Sequence, residues 1–225
     1  MRVVMLAVCM LSTAEVSGAA GADHLPFTEG IIYEYERIPQ HLGRYIVYFS
    51  GTADIQGTTT YIRRFGDGQQ QFWSETLEGD KLLHGIAFRL ETPLLFFPPI
   101  LVIDEPLSVG KIWEVDSQDS DSLAFHIRYE VTAFDDVTVP AGTFPAFTIR
   151  ETVEFPEGGQ ADKFRRLIRG IRGPIQTTQQ VADDTYANGI GKVLIVFGSR
   201  TDRLYSRRTV AVQPSTWTSI RMLYR

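Results

Sequence analysis

From Ser122 to Thr132 the chain alternates without interruption, with Leu123, Phe125, Ile127, Tyr129 and Val131 on one side and Ala124, His126, Arg128 and Glu130 on the other. A period of two is the signature of a half-buried β-strand. The same rhythm sets Ile31, Tyr33 and Tyr35 against Ile32, Glu34 and Glu36, and Tyr45, Val47 and Phe49 against Ile46, Tyr48 and Ser50. It returns in Phe147, Ile149, Val153 and Phe155. Later strands are expected over roughly 192–198, 201–212 and 215–224, which are rich in Val, Ile, Tyr and Trp but alternate less cleanly.

Turn chemistry separates these runs at Gly66-Asp67-Gly68, Glu78-Gly79-Asp80, Asp135-Asp136, Pro140-Ala141-Gly142 and Pro156-Glu157-Gly158-Gly159. Glycine supplies positive φ at such points and proline fixes φ near −65°. Short spacing between turns favours antiparallel hairpins in a meander, because parallel crossovers need a dozen or more connecting residues.

Two segments break the rhythm. Leu94 to Ile103 is apolar but contains Pro98 and Pro99, which a central strand does not tolerate, so a loop or edge segment is expected. Such a segment either covers the core or forms the rim of an apolar pocket. From Ala161 to Arg172, Phe164, Leu167, Ile168 and Ile171 fall at helical spacing opposite Arg165, Arg166, Arg169 and Arg172. This is the one helix candidate, although the residues also fit a rough strand alternation. Its basic face is either solvated or turned toward an acidic surface.

The start of the chain has a different character. Arg2 precedes the apolar run Val3 to Leu11, and the small residues Ser17, Gly18, Ala19 and Ala20 follow, which is the layout of a secretory signal peptide over residues 1–20. Cleavage after Ala20 or Ala22 leaves one domain over about residues 21–225. The apolar run is too short to span a bilayer, which takes about 20 residues, and no later run does so. An exported location, periplasmic or secreted, is therefore expected. The single cysteine, Cys9, lies within the leader, so the mature chain has no thiol for a disulfide, a metal site or nucleophilic catalysis. Val8 is larger than the small residue a lipoprotein box wants ahead of Cys9. The net charge of −5 argues against a general nucleic-acid binder.

Three motifs carry a resemblance. They are Pro106-Leu107-Ser108-Val109-Gly110-Lys111-Ile112-Trp113, Val137-Thr138-Val139-Pro140-Ala141-Gly142-Thr143-Phe144-Pro145-Ala146-Phe147, and Tyr186-Ala187-Asn188-Gly189-Ile190-Gly191-Lys192-Val193. In that order they resemble the PL-x-x-G-x-x-W, V-x-V-P-A-G-x-F-x-A-F and Y-A-x-G-x-G-x-V elements of exported bacterial domains of unknown function. The resemblance covers roughly residues 90–200, and residues 156–184 depart from it. It implies an all-β fold: a strongly curved antiparallel sheet, similar to lipoprotein-carrier proteins, forming a half-barrel or open barrel of meander hairpins with at most one short helix.

Chemistry is sparse. No G-x-S-x-G elbow, Walker loop, dinucleotide fingerprint, H-E-x-x-H or EF-hand loop occurs. His24, His41, His84 and His126 are scattered, and Glu34, Glu36, Glu75, Asp104, Glu130, Glu151 and Glu154 show no marked pairing. No enzyme, metal or cofactor is expected. The reading is an exported binding module for a lipid or other apolar ligand, lined by Phe88, Phe96, Phe97, Phe125 and Tyr129 in the concavity of the sheet. The alternatives are an assembly partner of an envelope protein and a hydrolase with an unrecognised site.

The exported form is expected to begin near Gly21 or Asp23 and to carry no lipid. Its intact mass checks this, and a mass that retains residues 1–20 or adds a diacylglyceryl group on Cys9 would contradict it.

Overall fold

The computed structural model describes residues 22–39, 43–89, 91–154 and 179–210. The leader, His41, the helix candidate 161–172, the turn at Pro156 and the last expected strand lie outside them. The described residues form twelve strands: β1 (Ile31–Ile38), β2 (Arg44–Ile55), β3 (Thr58–Phe65), β4 (Gln69–Glu75), β5 (Lys81–Phe88), β6 (Leu94–Ile103), β7 (Ile112–Asp119), β8 (Ala124–Val139), β9 (Gly142–Glu154), β10 (Gln179–Ala187), β11 (Gly191–Phe197) and β12 (Arg200–Thr209). Each pairs with its chain neighbour in antiparallel fashion, as the turn spacing predicts.

The sheet is closed, which corrects the expectation of a half-barrel or open barrel. β1 pairs with β12 from Ile31↔Thr209 to Ile38↔Thr201, with a register shift at Glu34/Tyr35. Closure leaves none of the twelve strands with a free edge.

Two local expectations also change. Asp135 and Asp136 do not turn; both are exposed strand residues of β8, opposite Ala146 and Pro145 of β9. A register shift between Val131 and Ala133 absorbs the irregularity, and the chain reverses at Pro140-Ala141. Leu94 to Ile103 is neither loop nor edge but strand β6. Its prolines are accommodated because the ladder from β6 to β7 is reduced to Phe96↔Asp119 and Phe97↔Gln118. Side chains of β7 take over along the rest of the seam: Ser117 Oγ donates to the Pro98 carbonyl at 2.7 Å and Trp113 Nε1 donates to the Leu101 carbonyl at 3.0 Å. Proline lacks the N–H that a full ladder would need, and the β6 carbonyls left outside the shortened ladder accept from β7 side chains instead.

A barrel of about eight strands is just filled by its own inward side chains, and a wider one needs more filling. Here the extra comes from rings and from chain folded over one end. Trp73, Phe96, Trp113, Phe125, Tyr129, Phe147 and Tyr186 belong to one buried cluster with Leu25 of the segment preceding β1. A second cluster joins Tyr33, Tyr35, Val47 and Leu204 to Val139 and Ala146 from the end of the β8–β9 hairpin. Ala141 N–H donates to the Leu204 carbonyl at 3.2 Å, which fixes that hairpin tip against β12.

The three motifs gather at this same end, around residues 23–27. Asp23 N–H donates to Asn188 Oδ1 at 2.9 Å, and Gly189 N–H donates to the Asp23 carbonyl at 2.8 Å. His24 contacts Glu105, immediately before the first motif, at 2.6 Å and the ring of Phe147, from the second, at 5.4 Å. Lys81, with no exposed surface, meets Asp23 at 3.0 Å and lies 4.8 Å from the ring of Phe27. Gly191, at φ +97°, lets the backbone pass close to Pro26.

Gly85 of β5 lies so near β6 that an added Cβ would sit 2.6 Å from the Leu94 carbonyl oxygen. Gly85→Ala is expected to cost about 1–3 kcal/mol of unfolding free energy, measured by chemical denaturation. An unchanged midpoint would mean that β5 and β6 are farther apart than described.

Candidate ligand site in the barrel lumen

At the end opposite the motifs, β1 finishes, β2 begins, β3 turns into β4 and β11 turns into β12. Inward positions here follow the same period of two as elsewhere, but several carry charge. Tyr33, Tyr35 and Arg37 share a face of β1; Tyr61, Arg63 and Phe65 share a face of β3, with Arg63 paired to Gln71 of β4. Asp184 of β10 stands opposite Ile195 of β11, which in turn stands opposite Asp202 of β12. A cavity of about 100 Å³ lies at this end, bounded by Arg37, Arg63, Gln71, Asp184, Lys192 and Arg200, among others. On that measure a single water needs about 10–15 Å³, so the space holds several waters or one small organic molecule.

Partnering within the site is uneven. Arg200 Nε donates to Asp202 Oδ1 at 2.8 Å and its Nη2 donates to Oδ2, while the Tyr45 hydroxyl donates to Oδ2 at 2.9 Å. Asp202 is fully buried, and its hydrogen bonds hold the Arg200 guanidinium above its ordinary pKa. Lys192 Nζ donates to Asp184 Oδ2 at 2.6 Å, leaving Asp184 Oδ1 buried without a hydrogen bond. Two cations remain. Arg37 lies 4.3 Å over the Tyr45 ring, and Arg63 lies 5.3 Å from the Phe65 ring against the neutral Tyr35 phenol. Nε of each is buried without an acceptor, and among the described residues no carboxylate pairs with either. Arg63 is 6% exposed. Asp67, the remaining carboxylate at the cavity, lies on the exposed β3–β4 turn and accepts from Gln69 N–H at 3.1 Å.

The aromatic wall is neutral over a wide pH range. Tyr35 stacks on Tyr45 with ring centres 5.3 Å apart, and Tyr45 stacks on Phe65 at 6.5 Å. Burial pushes the phenols of Tyr35 and Tyr45 well above the ordinary tyrosine value, and Asp202 pushes Tyr45 further. Tyr35 donates its proton to the Lys192 carbonyl at 2.6 Å.

The five aromatics expected to line an apolar pocket are distributed differently. Phe96 and Phe125 meet edge to face at 5.9 Å, and Tyr129 stacks on Trp113 at 5.1 Å, so these three rings pack in the core. Phe97 is half-buried on β6 beside Pro98. Phe88 borders a separate cavity of about 170 Å³ with Ile86, Pro93, Leu94 and Ser120. The cationic residues Arg37, Arg63, Lys192 and Arg200 were not among the expected site residues. A signal for two of them was present: counting by two from Tyr33 and Tyr35 reaches Arg37, and Arg63 stands between Tyr61 and Phe65.

Other polar pairs are less complete as chemistry. Ser74 Oγ and His84 Nε2 lie 2.7 Å apart on the outer face, where burial lowers the His84 pKa. No carboxylate orients that imidazole among the described residues. His126 pairs with exposed Asp116 at 2.8 Å. Among the described residues no cluster of three His, Asp or Glu side chains could hold a metal ion. No helix there is long and apolar enough to cross a membrane. The outer faces of β7 to β10 carry Arg128 paired with Glu114 across strands and with Glu130 along β8, and Arg150 paired with Asp183 across strands, a composition unsuited to the lipid-facing band of a membrane barrel.

No family model and no curated protein matches the chain. Two solved structures are similar to it. One is a candidate exported protein with a YmcC-like fold from Bacteroides fragilis NCTC 9343, at 10% identity and a TM-score of 0.47, covering 84% of this chain and 100% of that one. The other is a candidate lipoprotein from Parabacteroides distasonis ATCC 8503, at 11% identity and a TM-score of 0.42, covering 83% of this chain and 99% of that one. Neither is described as a lipoprotein carrier.

Two expectations follow from the partnering. Asp202→Asn should destabilise the fold by about 2–3 kcal/mol, because it strands the Arg200 guanidinium; equal denaturation midpoints for the two proteins would contradict this. For the tyrosines, a folded pKa above the unfolded 10.0 means that the unfolded chain loses protons first. Their contribution is therefore fully present below pH 10.0 and declines as pH rises beyond it. Phenolate absorbance during alkaline titration should show these groups ionising only with unfolding, and normal titration of every tyrosine in the folded protein would contradict the buried wall.

Proposed function

We propose that this chain is an exported, non-enzymatic binding module that takes a small polar ligand into the charged end of its barrel lumen. The observation that carries the reading is the Arg63 guanidinium, buried inside the barrel with an unused Nε and, among the described residues, no carboxylate partner. An ion in that position costs several kcal/mol unless something pairs with it. A ligand is the natural partner for a charge that the fold leaves unpaired beside open volume. Export rests on the leader at residues 1–20.

This moves binding away from the aromatic residues favoured by the sequence. Phe96, Phe125 and Tyr129 spend their surface on one another and on Trp113, whereas the cavity adjoining Arg63 is walled by charged and amide groups as well as rings. Assembly through strand addition is disfavoured, because closure of the described strands removes the edge it would use.

Native mass spectrometry of the protein purified from its own envelope checks the reading. A species heavier than the chain by one small molecule, stripped by dialysis against high salt, is expected. Saturable binding of a fluorescent fatty acid that is unchanged in Arg63→Gln and lost in Phe96→Asp, with both variants folded, would contradict it and return the site to the apolar side.

A further inference from the structure

Resting on that binding reading, the geometry points to a narrower ligand class: a small organic acid whose carboxylate meets Arg63 and Arg37 and which carries a hydroxyl or amino donor for Asp184. The argument runs through the atoms left unused. Arg63 Nε and Arg37 Nε are buried donors without acceptors, and Asp184 Oδ1 is a buried acceptor without a donor. All three residues border the same cavity. Arginine presents its N–H groups in a planar fork that matches a carboxylate, and here both guanidinium groups are held along one aromatic stack, Arg37 over Tyr45 and Arg63 beside Phe65.

The charge balance favours a monoanion. Lys192 is matched by Asp184 and Arg200 by Asp202, which leaves Arg37 and Arg63 against Asp67 on the exposed turn, an excess of positive charge. One carboxylate offsets part of that excess without crowding Asp184. A phosphate dianion would bring a second negative charge toward Asp184, whose carboxylate repels it. Asp184 Oδ1 instead favours a group that donates a hydrogen bond next to the acid. The cavity volume of about 100 Å³ fits an acid of a few carbons and excludes an acyl chain.

Lactate and propionate differ by the hydroxyl alone and are the informative pair. Isothermal titration of the dialysed, leader-free protein should show saturable lactate binding, with propionate weaker by about tenfold, the loss expected for a charged hydrogen bond left unmade. Arg63→Gln should weaken lactate by about tenfold or more while leaving the unfolding midpoint of the free protein equal or higher, since it removes a buried unpaired charge. Arg37→Gln, at a less buried position, should weaken lactate without affecting folding, and Asp184→Asn should narrow the gap between lactate and propionate. Equal affinity for the two acids, tighter binding of inorganic phosphate, lactate affinity unaffected by Arg37→Gln, or a lower midpoint in Arg63→Gln would overturn the assignment. If neither acid binds but native mass spectrometry still finds a retained molecule, the acid subsite falls and the binding reading stands. If both measurements are negative, both fall.

Discussion

Eight residue pairs between β1 and β12, from Ile31↔Thr209 to Ile38↔Thr201, close the sheet on itself, and the constraint this sets is a lumen that must be filled. Every inward position becomes interior, whatever residue occupies it. Across β5 to β9 the positions are met by large apolar side chains such as Ile86, Phe96, Phe125, Ile127 and Ile149, and the result is an apolar core. Across β1 to β4 and β10 to β12, Arg37, Arg63, Asp184, Lys192 and Asp202 interrupt the apolar pattern, and a cavity persists. The same closure that protects strand edges thus confines charge in a place where only a partner can offset it.

The two ends of the barrel are finished in opposite ways. At the motif end the buried Lys81 has Asp23 and Glu75 as counter-ions, and His24 Nδ1 meets Glu105 at 2.6 Å. Segment 23–27 and the folded hairpin tip at Ala141 complete the packing there, so the motifs are explained as structure. At the cavity end, Arg200 and Lys192 are matched in the same manner while Arg37 and Arg63 are not. Lys81, Lys192 and Arg200 each have a carboxylate partner, whereas among the described residues Arg37 and Arg63 have none. Replacing such a guanidinium by an uncharged side chain relieves the folded state, which is how a binding residue differs from a structural one.

Much of the fold was legible because half-buried strands write their period into the chain. Phe125 to Val131 fills the inner face of β8 as the alternation indicates, with Leu123 buried just before it, and the glycine turns at 66–68 and 78–80 join strands where expected. Closure was not legible, because pairing between the first and last strands is non-local and leaves no mark in either strand alone. Leu94 to Ile103 was misleading for a definite reason: proline argues against a ladder, and the sequence does not show that Ser117 and Trp113 stand ready to replace it. The candidate site was missed because aromatic residues alone were weighed as ligand contacts. Arg37 and Arg63 occupy inward positions of alternating strands, and the alternation itself located them once the sign of the residue was set aside.

Side-chain Nε–H resonances of arginine in the leader-free protein test the central claim most directly, since each reports whether its guanidinium is buried and whether it has an acceptor. The account predicts that the Arg63 and Arg37 signals exchange slowly with water and move on titration with lactate, while those of Arg128 and Arg150, already paired with carboxylates on the outer face, stay where they are. Fast-exchanging Arg63 and Arg37 signals, or lactate-induced shifts spread evenly over all four arginines, would contradict it.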